Sequence, residues 1–187
     1  MEVIANKSII AVEGKDEVNF FEAFLQHLAI QDVKVQNFEG KDNFRKNTNA
    51  LKLSSGFDKV EKIILVRDAD FGENAPENAF KSLQDALEKA GLPIPTKQGQ
   101  FTKKEKTLPQ TAIYIMPYKG SVGTLENLCL DSILAEERKC IEAFFECMPE
   151  KPAEKNLSKA KVQAYLAAKK EPINSLGLAS KKKLLEL

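Results

Sequence analysis

Acidic side chains follow two separate apolar runs of this chain, at points where strands are predicted to end. Glu13 follows the run 8–12, and Asp68 and Asp70 follow the run 62–66. Carboxylates held ~4 Å apart repel each other by about 4 kcal/mol at an effective dielectric constant of about 20. Such a cluster takes up either a proton or a cation. Its hard oxygen atoms favour Mg²⁺, Mn²⁺ or Ca²⁺ over zinc, so these residues are candidate ligands of a divalent metal ion.

The two runs belong to a chain in which predicted strands alternate with predicted helices. Continuous or alternating apolar residues predict strands, and apolar residues at helical spacing predict helices. The predicted strands are 8–12, 33–38, 62–66 and 111–116, and the predicted helices are 16–29, 41–55 and 76–90. This alternation predicts an α/β fold, a mostly parallel sheet with helices on both faces. Ligands bind at the carboxyl edge of such sheets, where Glu13 is expected beside the two aspartates.

The composition divides the chain into two predicted parts. Residues 1–148 form the predicted α/β domain, and residues 149–187 are a Lys- and Ala-rich helical extension. Within the first part, residues 93–110 are rich in Pro, Lys and Gln and are expected to form a long loop or a hairpin. Loops of this length inside compact domains are uncommon and often functional.

Lysines are concentrated in two segments, although the formal net charge is only +1. Residues 150–187 hold nine lysines against four acids, and residues 95–110 hold four lysines against one acid. An acidic body with basic extensions is compatible with a metal site beside a surface that binds a polyanion. The other interpretation is that the lysines only solvate exposed helices and a loop. The candidate nucleic-acid-binding residues are Lys97, Lys103, Lys104 and Lys106.

Composition excludes several other classes of protein. Hydrophobic residues make up 43 % and charged residues 29 % of the 187 residues, as in globular proteins. No apolar run approaches the ~20 residues of a membrane span, and residues 1–7 do not resemble a secretory signal. We therefore expect a cytoplasmic protein. Three cysteines without a Cys-x-x-Cys pair and a single histidine, His27, favour neither a zinc site nor a disulfide framework.

Two segments carry a resemblance to a known family. The sequence from Ile9 to Glu17 contains Glu-Gly-x-x-Glu, and the run from Ile63 to Asp70 ends in Asp-x-Asp. Together they resemble a TOPRIM domain, the catalytic module shared by topoisomerases, bacterial-type primases and overcoming-lysogenization-defect (OLD) nucleases. The OLD-like branch is the most similar, and Gly123-Thr124-Leu125-Glu126 resembles its later Gly-x-Leu-Glu. The resemblance spans roughly residues 7–135.

This resemblance implies a set of roles. Asp68 and Asp70 would hold Mg²⁺ or Mn²⁺, and Glu13 would be the general acid/base or a further ligand. Glu17 and Glu126 would be ligands of a second metal ion. Outside that implied set, Lys119 follows the last predicted strand, where its charge could stabilise a transferring phosphoryl group. The expected partner is a nucleic acid, DNA in the first place.

Several of these residues also have a purely structural interpretation. Glu17 is on a predicted helix and can be a solvated acid, and Asp16 can cap that helix. Glu126 begins a helix, where the dipole favours acids. Lys119 can be an ordinary surface lysine, and Arg67 can pair with its neighbour Asp68.

Two features of the sequence argue against a topoisomerase. Topoisomerase-type members tend to place glycine three residues after the second aspartate, whereas Gly72 comes two after Asp70, and no tyrosine lies in a recognisable cleavage context. The first hypothesis is therefore an Mg²⁺-dependent nuclease that cleaves phosphodiester bonds. The alternative is a non-catalytic TOPRIM-like protein that binds a nucleotide or nucleic acid. The chain has no Gly-x-x-x-x-Gly-Lys-Ser/Thr motif, so an ATPase, if one is used, would be a partner on another chain.

Overall fold

Four strands and seven α-helices make up the part of the chain that the structure, a computed structural model, describes, namely residues 3–118 and 120–182. The strands are β1 (Ser8–Val12), β2 (Val33–Asn37), β3 (Lys62–Asp68) and β4 (Gln110–Met116). The helices are α1 (Lys15–His27), α2 (Phe44–Lys52), α3 (Ala75–Lys89), α4 (Leu125–Ser132), α5 (Ala135–Cys147), α6 (Glu154–Ala167) and α7 (Leu176–Lys181). Short 3₁₀ turns precede α2 and β3, at Lys41–Asn43 and Phe57–Lys59. None of the described helices has both the length and the apolar character that a membrane span requires.

The four strands form one parallel sheet in the order β2-β1-β3-β4. Ser8 pairs with Lys62 and Ala11 with Leu65, so the central strands β1 and β3 end at the same edge. The α/β prediction is therefore confirmed. β3 is longer than the predicted run 62–66, because Arg67 and Asp68 continue the ladder with β4.

Alternate residues of β3 face two different layers of helices. Ile63 and Leu65 are buried in a core shared with α2 and α3. Ile64 and Val66 point to the opposite core, which is shared with α1, α4, α5, α6 and α7. Successive side chains of a strand point to opposite faces, so an apolar run on both faces is what a sheet covered by two helical layers requires. Helices thus lie on both faces, as the alternating pattern predicts.

Helix α3 illustrates how the sequence defines an element. Pro76 is in the first turn, where its missing N–H removes no hydrogen bond. Ala79, Leu83 and Leu87 recur at helical spacing and are buried against the sheet. The chain leaves the helix through Gly91, whose φ of 60° is readily adopted by glycine.

The stretch before β4 is irregular, as predicted, and it runs beside the edge strand. The backbone N–H of Gly99 donates to the carbonyl of Ile113 at 2.9 Å, and that of Thr102 to the carbonyl of Thr111 at 2.9 Å. These bonds satisfy groups that an edge strand would otherwise expose.

The helices after residue 148 are part of the second core. Leu166 of α6 and Leu176 of α7 are buried in the same cluster as Val12 of β1. Asp16 is not the N-cap of α1, the structural role considered for it above, because the N-cap is Gly14. Its Oδ1 accepts the hydroxyl of Ser175 at 2.7 Å and thereby holds the start of α7 against α1. The division of the chain near residue 148 stays a prediction.

Leu166→Ala should test whether α6 unfolds together with the sheet. Leu166 is 1 % exposed, so truncation should lower the free energy of unfolding by about 2–5 kcal/mol. Leu87→Ala in α3 should have an effect of similar size, because Leu87 is fully buried in the other core. Urea unfolding followed by circular dichroism and by limited proteolysis should give coincident transitions for both variants. Leu178→Ala is the control, since Leu178 is 49 % exposed. A separate early transition confined to Leu166→Ala would mean that the extension folds as a unit of its own.

Candidate functional site

The ends of β1 and β3 bring Glu13 and Asp68 into contact. Glu13 follows β1 directly, and the paired register of the two strands places it level with the end of β3. The backbone N–H of Asp68 donates to Glu13 Oε1 at 3.0 Å. The parallel sheet therefore joins two of the candidate acids, which are 55 residues apart in sequence.

Arg67, which precedes the Asp-x-Asp motif, forms an ion pair with its second aspartate and not with its first. It is only 8 % exposed, and its Nε lies 3.5 Å from Glu13 Oε1. Its Nη2 lies 3.5 Å from Asp70 Oδ2, and the Nζ of Lys41 lies 2.8 Å from the same oxygen. Arg67 does not pair with Asp68, because adjacent residues of a strand point to opposite faces. The carboxylate of Asp70 is thus neutralised by two cations within the chain.

The backbone of Asp70 is fixed to the loop that precedes α4. Asp70 has a φ of 65°, in the left-handed region that Asp and Asn tolerate better than most residues. Its N–H donates to the carbonyl of Gly123 at 3.0 Å, and the N–H of Gly123 donates back at 2.8 Å. A Cβ on Gly123 would lie 2.6 Å from Asn127 Oδ1, and its φ is 134°, so both space and conformation require glycine. This explains the glycine of the Gly-x-Leu-Glu segment.

The first turn of α4 holds Asp68 and Glu126. The N–H of Leu125 donates to Asp68 Oδ1 at 3.0 Å, so an acid from β3 binds the start of a distant helix. Thr124 is the N-cap, and its own N–H donates to Asn127 Oδ1 at 3.0 Å in a capping box. The hydroxyl of Thr124 also donates to Glu126 Oε2 at 2.7 Å and fixes that side chain.

A cavity of ≈ 360 Å³, here called the acid cavity, lies between α1, the end of β3, α4 and α6. It combines acids from three elements with lysines from two. Its lining residues are Gly14, Lys15, Asp16, Glu17, Asp68, Thr124, Leu125, Glu126, Lys155, Ser158, Lys159 and Leu176. Glu17, Asp68 and Glu126, three of the predicted site residues, therefore share one cavity. Its volume falls in the range of small-ligand sites.

Gly14 makes room for Glu17 in this cavity. A Cβ on Gly14 would lie 2.9 Å from Glu17 Oε2, so any larger residue would displace the carboxylate. Gly14 is the N-cap of α1, and Glu17 is the third helical residue, which in many helices folds back over the first turn. The Glu-Gly-x-x-Glu spacing thus has a steric reason.

Burial and neighbouring carboxylates disfavour the charged forms of three acids at this edge, Asp68, Glu13 and Glu17. Burial, reinforced by the charges of Glu13, Glu17 and Glu126, raises the pKa of Asp68 to about 9. Burial also raises the pKa of Glu13 to about 7, although the Arg67 guanidinium opposes the shift. Burial and the nearby charge of Glu126 raise the pKa of Glu17 above its ordinary value, although backbone hydrogen bonds oppose this. Without a cation, this edge holds protons at neutral pH.

The chemistry of the acid cavity fits a hard divalent cation, but its side chains do not form a finished ligand shell. Carboxylate oxygens are the ligands of Mg²⁺ and Mn²⁺, and a cation would relieve the repulsion that raises the pKa of Asp68. Among the described residues, however, no group of three or more His, Cys, Asp or Glu side chains converges closely enough to hold an ion. Mg²⁺ usually keeps several water molecules, so a hydrated ion suits such spread carboxylates best.

The remaining candidates lie elsewhere. Asp70 does not line the acid cavity, and Glu13 adjoins Asp68 without lining it. Lys119 lies outside the described residues. The hydrogen bond and charge of Lys7 lower the pKa of Glu61, just before β3, and Lys104 lies close enough to contribute to the same shift. Glu61 adjoins the amino end of β3, whereas Asp68 is its last residue. The seven residues of this strand put the two ends roughly 20 Å apart. Neither Lys104 nor the other predicted loop lysines, Lys97, Lys103 and Lys106, line the cavity.

Sequence reasoning missed several residues of this edge. Lys41 was not singled out, because its role depends on the turn after β2 coming close to Asp70. The cavity lysines Lys155 and Lys159 were counted only as part of a basic segment. Thr124 could have been found, since Thr followed three residues later by Asn is a possible capping pair.

Fold and site together define a class of protein: an α/β domain whose parallel sheet carries a cluster of partly buried acids at its carboxyl edge. The chain belongs to the family described as "Protein of unknown function (DUF3226)", whose model matches residues 7–187. A comparison with curated proteins finds no match.

Two solved structures are similar to the chain. Both are the C-terminal region of the OLD protein of Xanthomonas campestris pv. campestris, one phased with mercury and one with platinum. The first structure is 14 % identical in sequence, with a TM-score of 0.43, and the match covers 97 % of this chain and 81 % of the other chain. The second structure is 15 % identical, with a TM-score of 0.42, and the match covers 96 % of this chain and 78 % of the other chain. The TOPRIM resemblance itself stays a prediction.

Asp68→Asn should stabilise the metal-free protein at pH 8. The folded protein keeps a proton on Asp68 up to about pH 9, whereas an unfolded chain releases it near pH 4. The free energy of unfolding should therefore fall as the pH rises between these values. An amide cannot ionise, so the variant should show a flatter dependence between pH 5 and 8. We expect a gain of about 1 kcal/mol or more at pH 8, measured by urea unfolding with EDTA.

Asp70→Asn is the matched variant and should act in the opposite direction. It removes the carboxylate that binds Lys41 and Arg67, while asparagine still tolerates the left-handed backbone. We expect a loss of about 1 kcal/mol, because a mostly buried guanidinium loses one of its partners. A shift of the same sign in both variants would contradict the division between a neutralised Asp70 and an uncompensated Asp68.

Proposed function

We propose that this protein cleaves phosphodiester bonds of nucleic acid with the help of Mg²⁺ or Mn²⁺. The observation that carries the proposal is the acid cavity, in which Glu17, Asp68 and Glu126 meet beside lysines. Burial and the neighbouring carboxylates raise the pKa of Asp68, and lysines lie on the facing wall, so the cavity suits a metal ion and a phosphate group bound side by side. The TOPRIM-like motifs, expected from the sequence, point to the same chemistry.

Asp68, Glu17 and Glu126 are the proposed metal-holding residues. A bound Mg²⁺ would supply polarisation of the phosphoryl oxygen and neutralise charge that develops there. Thr124 and Leu125 contribute by orienting two of these acids, because they donate hydrogen bonds to Glu126 and Asp68. Asp70, bound to Lys41 and Arg67, receives no comparable support and stays a predicted ligand.

Glu13 is the proposed general acid/base. Its pKa of about 7 suits proton transfer near neutral pH, because it can both accept and donate a proton there. Oε1 accepts the N–H of Asp68 and faces Arg67, which fixes the carboxyl group. Oε2 takes part in neither contact and is the atom we expect to exchange the proton. Glu13 as a metal ligand stays a prediction, and so do Lys119 and a partner ATPase.

A non-catalytic nucleotide- or nucleic-acid-binding protein is the second candidate. It is favoured by the absence, among the described residues, of three acids converging on one point. On this view the protonated acids and the cavity lysines would bind a phosphate group without cleaving it. The two candidates differ in a single observable, metal-dependent cleavage.

A nicking assay should distinguish the two candidates. We expect the protein to convert supercoiled plasmid to open circles, and to shorten single-stranded DNA, with Mg²⁺ or Mn²⁺ but not with EDTA. Asp68→Asn and Glu126→Gln should each lower the rate by about 100-fold or more, because each removes a charge from the metal-holding set. Glu77→Gln is the control, since Glu77 is an exposed acid of α3 on the opposite face of the sheet. Nucleic-acid binding without cleavage in any metal would favour the second candidate. Equal cleavage by Asp68→Asn and wild type would show that another site, or a contaminant, is responsible.

Metal binding should also be visible as stability. Mg²⁺ or Mn²⁺ at 100 times its Kd should stabilise the folded protein by about 2.7 kcal/mol, because it binds the folded state alone. The fall in stability between pH 5 and 8 should diminish at the same time, since a cation favours the ionised carboxylates. Thermal unfolding with and without metal measures both effects. A metal-induced rise in Tm that persists in an Asp68→Asn/Glu126→Gln variant would place the ion elsewhere.

A further inference from the structure

One face of α6 closes the acid cavity opposite the acids. Lys155, Ser158 and Lys159 line the cavity and are spaced i, i+3 and i+4, which puts them side by side on the helix. Glu17 and Glu126 reach the same space from α1 and α4. The cavity therefore has an acidic wall from the α/β core and a basic wall from the C-terminal helices.

The two lysines of this wall are not used for internal ion pairs. Within the part of the chain that the structure describes, neither Lys155 nor Lys159 forms a salt bridge. Lys161, two residues after Lys159, lies 2.5 Å from Glu142 of α5. Lys169 likewise lies 2.8 Å from Glu137. The unpaired lysines are thus the ones that face the cavity, although acids lie across it.

Ser158 gives a second, independent observation. Ser158 is 6 % exposed, yet its hydroxyl makes no hydrogen bond to any described residue. A buried hydroxyl in a helix commonly donates to the carbonyl four residues earlier, as Ser180 does to Leu176 at 3.0 Å. Ser158 Oγ is not one of the fully enclosed polar atoms without a partner, which among the described residues are Thr48 Oγ1 and Arg67 Nε. Ser158 lines the cavity, so a ligand bound there could accept a hydrogen bond from its hydroxyl.

We infer that Lys155, Ser158 and Lys159 bind a phosphate of the nucleic-acid strand in the acid cavity. A phosphodiester oxygen accepts hydrogen bonds from both ammonium groups and from a serine hydroxyl, which supplies the partner that Ser158 lacks. A phosphate also accounts for lysines and acids that face each other without pairing, because the anion and its metal ion occupy the gap between them. This inference rests on the proposed function and assigns strand binding to α6 rather than to the loop at 95–110.

Binding of a fluorescein-labelled 20-nucleotide single-stranded DNA, followed by anisotropy, tests this assignment. The anisotropy is measured with EDTA and with Ca²⁺, so that binding is followed without cleavage of the DNA. Lys155→Gln/Lys159→Gln should weaken binding by about 10-fold at moderate salt. It should also reduce the slope of log K against log salt by about 1.4, for two lost contacts at roughly 0.7 each. Lys155→Arg/Lys159→Arg should retain binding, and Ser158→Ala should weaken it less than the double lysine variant.

The control is Lys81→Gln/Lys89→Gln, which removes two exposed lysines from α3 on the other face of the sheet. It should leave both affinity and salt slope unchanged. Equal losses in the two double variants would indicate non-specific attraction and overturn the inference. Wild-type binding that the cavity lysines do not affect would overturn it while leaving the proposed function intact. Failure of the wild type to bind any strand would instead remove the proposed function. Millimolar inorganic phosphate at constant ionic strength should compete with the strand in the wild type and have less effect on the double lysine variant; equal displacement in both would overturn the assignment.

Discussion

The bond from the N–H of Leu125 to Asp68 Oδ1, at 3.0 Å, joins the end of a central strand to the start of a helix 57 residues later. It places a carboxylate at the positive end of α4, where backbone N–H groups lack helical partners. Burial nevertheless raises the pKa of Asp68 to about 9, reinforced by the charges of Glu13, Glu17 and Glu126, although the hydrogen bond from Leu125 acts to lower it. Burial and the neighbouring acids outweigh the helix terminus. The negative charge that Asp68 would carry when ionised is therefore not balanced by positive charge within the described residues. The other features of the site lie around this carboxyl group.

The pleat of β3 determines which acids are neutralised within the chain. Arg67 points to the face shared with α3, where it meets Glu13 and Asp70, and Lys41 joins them. Asp68 points to the other face, where no cation lies within salt-bridge distance among the described residues. Neighbouring residues of one strand thus separate Asp70, which two cations compensate, from Asp68, which no cation compensates among the described residues. An ion or a ligand would gain most from binding on the uncompensated side.

The order and spacing of apolar runs were enough to predict the parallel sheet and the approach of Glu13 to Asp68, because parallel strands end at one edge. The same reasoning treated Asp68 and Asp70 as one pair, although the intervening strand geometry and the Gly123 bridge direct them to different partners. Composition identified basic segments without showing which lysines face the acids. Lys104 is near the far end of β3, whereas Lys155 lines the cavity. Such distinctions depend on how α6 packs, and nothing local in the sequence encodes that packing.

The position of α6 links the site to the stability of the fold. Val162 and Leu166 on one side of this helix are buried in the core beneath α4, while Lys155 and Lys159 border the cavity. The contacts that attach the helix to the sheet therefore also set the distance between the basic and acidic walls. Asp16 acts in the same way, since it lines the cavity and also accepts the hydroxyl of Ser175 at the start of α7. A chain shortened near residue 148 would lose one wall of the cavity together with a large part of one core. The C-terminal segment is thus a structural component of the cavity, and the lysines that it contributes to the cavity wall form no ion pair among the described residues.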